Sequence, residues 1–263
     1  MVSATDEWIR HYRNIDVRSY APQGGREPSI NSFSQNRRIL FQKVRDSIDR
    51  RLRSKSPIRI WSAGSGIDLI SLKLKYVFGD RIDVTILDVS EKCIAANETI
   101  FKEAGIEARF VIGDIFQSSY MDEFDIVMNT GLLEHFETQK QEKLISIFSS
   151  SLVSGGSYMT LTPYRGGKLY FYSIRKRAQK GYSTMPETPV QTLKGFDSAG
   201  FRIVEEYPTC AIDQLGCLRM PYPRLGFLVW PLLLVAYRLE SIAEPVMMKL
   251  VGGYLLFDHF VKE

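Results

Sequence analysis

Two hydrophobic patterns divide this chain at Pro57. Before Pro57, apolar residues recur every four positions from Leu40 to Leu52, which places them on one stripe of a basic helix over residues 32–53. After Pro57, short apolar runs alternate with longer segments of helical periodicity. This alternation is typical of βαβ units, so it predicts a mostly parallel sheet with helices on both faces.

The individual elements follow from the same patterns. The predicted strands occupy residues 58–63, 83–88, 108–113, 124–129, 157–162, 201–208 and 253–262. The predicted helices after Pro57 occupy residues 68–78, 90–104, 138–153 and about 188–199. Signals for helix ends are the C-cap glycines Gly79, Gly105 and Gly155, and the capping-box pairs Ser32 with Gln35 and Thr138 with Gln141. The predicted fold is a doubly wound α/β fold with a seven-stranded sheet.

Two segments fall outside this pattern and complete the predicted domain organisation. Residues 1–56 form an N-terminal helical arm, interpreted as a lid, beside a core of residues 57–212 and 251–263. Residues 213–250 form an apolar helical insertion before the last strand.

The insertion contains an apolar run over residues 225–237 with a central Pro231. This run is shorter than the roughly 20 residues that a membrane span needs. Three explanations remain: a buried cap over a site, a dimer interface, or a patch that docks on a membrane. The flanking Arg219, Arg224 and Arg238 suit a membrane surface or an anionic lipid-linked substrate, but we favour the cap.

Composition narrows the class of protein. Hydrophobic residues make up 44% and charged residues 24%, which is typical of a globular protein. Basic residues concentrate between Arg37 and Arg59, which suits either a nucleic-acid or anionic surface or, as we favour, a solvated helix face. The three cysteines and three histidines show no metal-binding spacing, and the N-terminus has no apolar signal core. We therefore expect a cytoplasmic protein without a structural metal.

The chemistry is expected where strands end, because ligands bind at the carboxyl ends of parallel strands. The first strand runs into a glycine turn, AGSG at 63–66, that lets the backbone approach a ligand closely. The second ends in Asp88, whose carboxylate can accept both hydroxyls of a ribose, or can cap the next helix together with Ser90. The combination favours a cofactor that carries a nucleoside.

The third and fourth strands end in polar residues as well. Asp114 can accept a hydrogen bond from an adenine amino group, with Ile115 or Phe116 against the ring. The fourth strand ends in Asn129 and continues into TGLLEHF at 130–136.

Together, AGSG (63–66), LDVS (87–90), IGDI (112–115) and NTGLLEHF (129–136) resemble the motifs of class I S-adenosylmethionine-dependent methyltransferases, in their small-molecule branch. The resemblance covers about residues 57–209, with 253–262 as the last, antiparallel strand. It implies a Rossmann-like fold and S-adenosyl-L-methionine as the cofactor. It also implies methyl transfer, expected at oxygen, to a small-molecule, glycan or lipid-linked acceptor.

The resemblance also implies a cofactor site, with Gly64 and Gly66 under the methionine and ribose, Asp88 at the ribose, and Asp114 with Ile115 at the adenine. The full implied set is Ala63, Gly64, Ser65, Gly66, Asp88, Val89, Gly113, Asp114, Ile115, Asn129 and Thr130.

Four further residues have alternative roles or depart from the family's motifs. Asn129 would face the methionine end and the acceptor, by its backbone or its side chain. His135 is either a general base for an acceptor that loses a proton or a structural histidine. Ser62 and Asp68 depart from the family, which usually has an acid at the first position and often a third glycine at the second. Asp68 either substitutes for the missing acid or starts a helix.

Three alternatives stay open at this point. A dehydrogenase would have a glycine where this chain has Leu69. An amino-directed nucleic-acid methyltransferase would carry prolines and an aromatic residue within 129–132, so no nucleic-acid partner is expected. A degenerate methyltransferase fold that only binds ligands would fit Ser62. Oligomeric state is left open.

Overall fold

The computed structural model describes residues 26–30, 33–180, 200–219 and 221–263. The strands are β1 Ile58–Ala63, β2 Ile82–Asp88, β3 Arg109–Ile112, β4 Phe124–Thr130, β5 Leu152–Pro163, β6 Phe201–Thr209 and β7 Leu255–Lys262. The helices are α1 Gln35–Arg51, α2 Leu69–Phe78, α3 Glu91–Glu103, α4 Thr138–Ser151, α5 Lys168–Gln179, α6 Asp213–Cys217, α7 Gly226–Arg238 and α8 Glu240–Val251.

The strands form one sheet in the order β3-β2-β1-β4-β5-β7-β6. Every pair from β3 to β5 is parallel, whereas β7 runs antiparallel to both of its neighbours. The strand order reverses between β1 and β4, so the switch point lies between the carboxyl ends of these two strands. The predicted doubly wound, mostly parallel seven-stranded sheet is confirmed.

Two apolar layers cover the sheet. Alternate residues of β1 belong to different layers: Ile60 packs in one and Trp61 in the other, and both are fully buried. The first layer receives α1, α2 and α3, and the second receives α4. Both faces of the sheet are therefore covered, as a parallel sheet requires.

Helix α1 packs its predicted stripe, Leu40 to Ile48, into the first layer. The predicted capping box does not form among the described residues. Ser32 lies outside them, and the Gln35 amide donates to Glu240 Oε1 at 3.1 Å instead of turning back to the helix start. A contact with another helix thus replaces the local cap, and the sequence spacing alone could not show that.

The basic side chains between Arg37 and Arg59 mostly point at partners within the protein. Six of the nine contact a carboxylate or a backbone carbonyl: Arg38, Lys43, Arg45, Arg51, Lys55 and Arg59. Arg51, for example, donates to the Gly155 carbonyl oxygen at 2.6 Å. This pairing favours a helix face fitted to the protein over an open basic surface.

The largest difference from the predicted elements is the start of β5. The strand begins at Leu152 and not at residue 157, and α4 ends at Ser151. Gly155, predicted as a helix C-cap, lies inside β5 with a φ of 72°. The pairing with β4 is irregular there, because Phe124 pairs with Leu152 while Ile126 pairs with Ser157. Gly155 therefore permits a strand bulge and not a helix end.

The remaining signals for helix ends had different outcomes. The second capping box is wrong, because Glu137 is the N-cap and the Gln141 amide donates at 3.0 Å to the carbonyls of Leu133 and Phe136. Gly79 and Gly105, by contrast, follow α2 and α3 with positive φ, as predicted.

Helix α5 was not predicted. Its only buried residues are Tyr170 and Ser173, which is too weak a stripe to recognise. Its first turn is capped from outside, since Gln214 Oε1 accepts from the backbone N–H groups of Leu169 and Tyr170 at 3.1 and 3.3 Å. The helix predicted at 188–199 lies outside the described residues.

The segment from 213 to 250 is helical, as predicted, but its two longer helices, α7 and α8, are largely exposed. Of α7, only Val229 and Leu233 are buried, so the structure does not show the burial expected of a cap. No single helix in the described ranges is long and apolar enough to cross a membrane; Pro223–Arg238 and Glu240–Val251 pass that test only as a pair bent by 118°.

Candidate functional site

A glycine turn joins β1 to α2 at the switch point of the sheet. Gly64 and Gly66 have φ values of 61° and 55°, in the left-handed region that favours glycine. A Cβ on Gly64 would lie 2.7 Å from Leu132 Cδ1, in the loop after β4. The two loops on either side of the switch point are therefore in contact, and only glycine allows it.

Asp88, at the end of β2, ties this turn to the next loop. Its Oδ2 accepts from the Gly66 backbone N–H and its Oδ1 accepts from the Ser90 backbone N–H, both at 2.8 Å. Burial raises the pKa of Asp88, and these backbone donors offset part of the rise. The N-cap of α3 is Ser90, whose hydroxyl accepts from the Cys93 N–H, so capping does not explain Asp88.

Asp68 is the N-cap of α2 and lies next to the departure at position 62. Its Oδ1 accepts from the Ser71 backbone N–H at 2.9 Å. Burial raises its pKa, and hydrogen bonds from Ser71 and the Ser62 hydroxyl lower it again in part. The side chain of Asn97 in α3 joins this helix to the glycine turn. It accepts from the Asp68 backbone N–H at 2.9 Å and donates to the Gly66 carbonyl at 2.7 Å.

Two polar atoms of this turn are buried without a hydrogen-bond partner among the described residues, namely Ser65 Oγ and Asp68 Oδ2. Buried polar groups are usually hydrogen-bonded, so such atoms in a ligand-binding position call for an explanation. A polar ligand with a cationic end would provide one.

The end of β3 lies beside Asp88 at the same edge of the sheet. Gly113 donates its backbone N–H to the Asp88 carbonyl at 3.0 Å, which holds the loops after β2 and β3 together. Asp114 Oδ1 accepts from the Phe116 N–H at 3.0 Å and caps a short turn over Ile115–Gln117. Ile115 is buried in the second apolar layer.

The end of β4 differs from what the sequence allowed. The Asn129 side chain is buried and bonded inside the sheet, where it donates to the Tyr158 hydroxyl at 3.0 Å and accepts from the Thr160 hydroxyl at 2.6 Å. The predicted contact with the methionine end could use either the backbone or the side chain of Asn129. Because the side chain is bonded inside the sheet, only the backbone is left for that contact. Thr130, the last residue of β4, is half-buried.

His135 lies in a short helical turn, Leu133–His135, just after β4. Its side chain is 8% exposed, and its Nε2 lies 3.7 Å from Glu134 Oε1. The position is beside the switch point, as predicted. The burial suits a structural histidine as well as a base, so its role stays a prediction.

The structure therefore places the predicted residues along one edge of the sheet, at the ends of β1 to β4. Sequence reasoning missed two contributors, Asn97 and Leu132. Leu132 belongs to a recognised motif but had no assigned role, and nothing local distinguishes Asn97 from other polar helix residues. No group of three or more potential metal ligands occurs in the described part of the chain. All three cysteines are buried and free.

Comparisons with known proteins agree with this architecture. Residues 61–156 match the family model described as a methyltransferase domain. No curated protein matches the sequence. A magnesium protoporphyrin IX methyltransferase from Synechocystis PCC 6803, crystallised with bound SAH, is 13% identical with a TM-score of 0.60, covering 99% of this chain and 100% of that one.

Two further solved structures are similar over nearly the whole chain. A putative sarcosine dimethylglycine methyltransferase from Galdieria sulphuraria is 11% identical with a TM-score of 0.59, covering 98% of this chain and 99% of that one. A (4+2)-cyclase is 16% identical with a TM-score of 0.58, covering 97% of this chain and 92% of that one. At these identities the structures establish a shared fold, and that fold supports more than one reaction.

Proposed function

We propose that this chain, whose residues 61–156 match the methyltransferase domain model, is a class I S-adenosylmethionine-dependent methyltransferase that methylates an oxygen of a small-molecule, glycan or lipid-linked acceptor. The observation that carries the proposal is the hydrogen-bonded linkage of Asp88 to Gly66 and Ser90 beside the switch point. S-adenosylmethionine, when bound, supplies a methyl group that its sulfonium already activates.

The residues present fit this cofactor. Gly64 leaves no room for a Cβ against Leu132, so the turn forms a close backbone cradle. Each Asp88 carboxylate oxygen accepts one N–H and can accept a further donor, as two ribose hydroxyls require. We assign the ribose to Asp88 and the adenine to Gly113, Asp114 and Ile115. Ala63, Val89 and Thr130 contribute the adjoining backbone.

We assign the cofactor's ammonium to Asp68, which would replace the acid missing at position 62. Support comes from its burial, from its contact with Ser62, and from the unpartnered Oδ2. A neighbouring cation favours the charged form of a carboxylate and would offset the rise in pKa that burial causes. Ser65 Oγ is the second polar atom without a partner at the same turn.

The protein's part in the transfer is then alignment and exclusion of water. Holding the acceptor in line with the methyl group converts an encounter between two molecules into a step within one complex. A closed site also removes water as a competing nucleophile. Where the acceptor is a hydroxyl that must lose its proton, His135 is the group that we propose to accept it.

Isothermal titration calorimetry tests the cofactor site. We expect Asp88→Asn to weaken binding of S-adenosylhomocysteine by at least tenfold, while Asp83→Asn, on the exposed opposite end of β2, leaves it unchanged. Asp68→Asn keeps a good N-cap. This variant should bind S-adenosylhomocysteine more weakly, but its binding of methylthioadenosine, which lacks the ammonium, should be unchanged.

Adding Ser62→Asp to the Asp68→Asn variant should restore the lost affinity. Equal affinities in wild type and Asp68→Asn would leave Asp68 as a helix cap only. No binding by the wild-type protein at millimolar S-adenosylmethionine would overturn the methyltransferase proposal itself.

A ligand-binding protein without activity is the second candidate, and Ser62 is the observation that favours it. Incubation with labelled S-adenosylmethionine and hydroxyl-bearing acceptors separates the two. The second candidate would be supported if the protein binds S-adenosylmethionine but transfers no methyl group to any acceptor class. His135→Asn should then leave cofactor binding unchanged.

A further inference from the structure

We propose that α7 and α8 form a docking surface for an anionic lipid bilayer. We define the apolar face as the exposed large hydrophobic side chains between residues 225 and 250. Its members are Leu225, Phe227, Leu228, Trp230, Leu232, Leu234, Val235, Leu239, Ile242, Val246 and Leu250. These eleven make up most of the sixteen exposed large hydrophobic side chains in the described ranges, so the exposure is concentrated in one segment.

The degree of exposure excludes an ordinary surface helix. Phe227, Leu232 and Leu250 are 72%, 61% and 64% exposed, and Trp230 is 53% exposed. Scattered apolar residues on a surface need no explanation, but a contiguous patch of this size usually marks an interaction site.

The charges around the apolar face point to a negatively charged partner. All three acids between residues 213 and 250 are paired with groups of the protein. Glu244 accepts from the backbone N–H groups of Ala211 and Ile212 at 2.9 and 3.0 Å. Glu240 is 2.6 Å from Arg38, and Asp213 accepts from backbone groups at the start of α1. The basic residues of the segment are Arg219, Arg224, Arg238 and Lys249.

Helix α5 enlarges this basic rim. Residues 164–180 contain six Lys or Arg and no acid. The end of α5 is joined to the segment, since Lys180 donates to the Pro221 carbonyl and the Tyr172 and Tyr222 hydroxyls are 2.9 Å apart. An apolar face bordered by cations is the composition of a helix that lies in the interface of an anionic membrane.

A bilayer fits these observations better than a second copy of the chain. Two copies joined through this face would bring their basic rims together and repel each other. Anionic headgroups would neutralise them. At 13 residues α7 is about 20 Å long by the helical rise, shorter than the roughly 30 Å hydrocarbon core, so it can lie in the interface but not span it.

The segment that carries the docking surface begins and ends at the same edge of the sheet as the candidate site. The segment leaves β6 at Thr209 and re-enters β7 at Leu255, and these two residues are paired neighbours at the carboxyl end of β5. Strand β7 is two positions from β4, a distance of about 10 Å. If methyl transfer is as proposed, the acceptor is therefore amphiphilic and is reached at the lipid surface.

Co-sedimentation of the full chain with vesicles tests the proposal. We expect at least tenfold tighter binding to vesicles of phosphatidylcholine with phosphatidylglycerol than to phosphatidylcholine alone, and a strong loss of binding in high salt. Phe227→Ser combined with Leu232→Ser should abolish binding. The control is Met121→Ser, which removes an equally exposed hydrophobic residue (66%) outside the segment.

Three outcomes would overturn the proposal: equal binding to both vesicle types, binding that resists alkaline carbonate extraction as an inserted helix pair would, or a dimer that the Phe227→Ser/Leu232→Ser variant converts to a monomer. Calorimetry with S-adenosylhomocysteine on the same variant keeps the two proposals separate. Loss of vesicle binding with normal cofactor affinity concerns the docking surface alone.

Discussion

At the scale of single residues, contact between neighbouring loops shapes the candidate site. Gly64 touches Leu132, and Asp88 joins the backbones of Gly66 and Ser90. These contacts link the ends of the three strands β1, β2 and β4.

Gly64→Ala should destabilise the protein by about 1–3 kcal/mol, because the new side chain would occupy a left-handed conformation and collide with Leu132. Gly113→Ala is the matched control, since a Cβ there meets no atom within 4 Å. Denaturant unfolding measures both. Similar unfolding free energies for the two variants would contradict the cradle described here.

The sequence identified residues of the site only where a motif marks them. Asp88 and Asp114 follow recognisable strands, and both lie where expected. The contact of Asp68 with Asn97 and the inward turn of the Asn129 side chain depend on residues distant in sequence. Such partners are set by packing, which local spacing does not encode.

At the scale of elements, α1 behaves as part of the core although it precedes the first strand. It buries Leu40, Val44 and Ile48 in the same apolar layer as α2 and α3. The interpretation of residues 1–56 as a lid therefore concerns the arm before α1, and residues 1–25 lie outside the described part of the chain.

Ile48→Ala should cost about 2–5 kcal/mol of unfolding free energy, because it removes a fully buried side chain from a packed layer. Arg45→Ala, on the exposed face of the same helix, should change it by less than about 0.5 kcal/mol. Urea titration followed by circular dichroism distinguishes them. A small effect of Ile48→Ala, with α1 melting separately, would show that α1 is a detachable lid.

Element prediction succeeded where hydrophobic periodicity is strong and failed where tertiary contacts supply the signal. Strand β1 was predicted at its observed bounds, and α2 to within one residue. The early start of β5 depends on a bulge at Gly155. The start of α5 depends on Gln214, whose Oε1 accepts from the Leu169 backbone N–H. Neither leaves a periodic trace in the sequence.

At the scale of the whole molecule, we expect one buried acid, Asp258, to make the free energy of unfolding depend on pH. Asp258 of β7 is paired opposite Glu206 of β6. Burial and then Glu206 raise the pKa of Asp258 to about 8. Burial lowers the pKa of nearby His259 to about 4. The two shifts have opposite consequences for folding below about pH 6.5, the ordinary pKa of histidine.

Between about pH 6.5 and 8, the raised pKa of Asp258 acts on folding and the lowered pKa of His259 does not. The folded state there binds more protons than the unfolded state, so the free energy of unfolding should fall as pH rises, by at most about 1.4 kcal/mol per pH unit. Asp258→Asn should remove this slope, whereas Asp80→Asn, on the surface, should keep it. Denaturant unfolding curves measured across this pH range test the prediction. An unchanged slope in Asp258→Asn would show that another group causes the pH dependence.

The paired positions of Thr209 and Leu255 have an evolutionary consequence. The segment between them leaves the sheet and returns to it at one point, so it is an insertion whose two ends are adjacent. Such an insertion can be lengthened, shortened or exchanged while the strand register and the glycine turn stay intact. If the acceptor is reached through this segment, its choice could therefore change without any change in the half of the molecule that we propose to hold the cofactor.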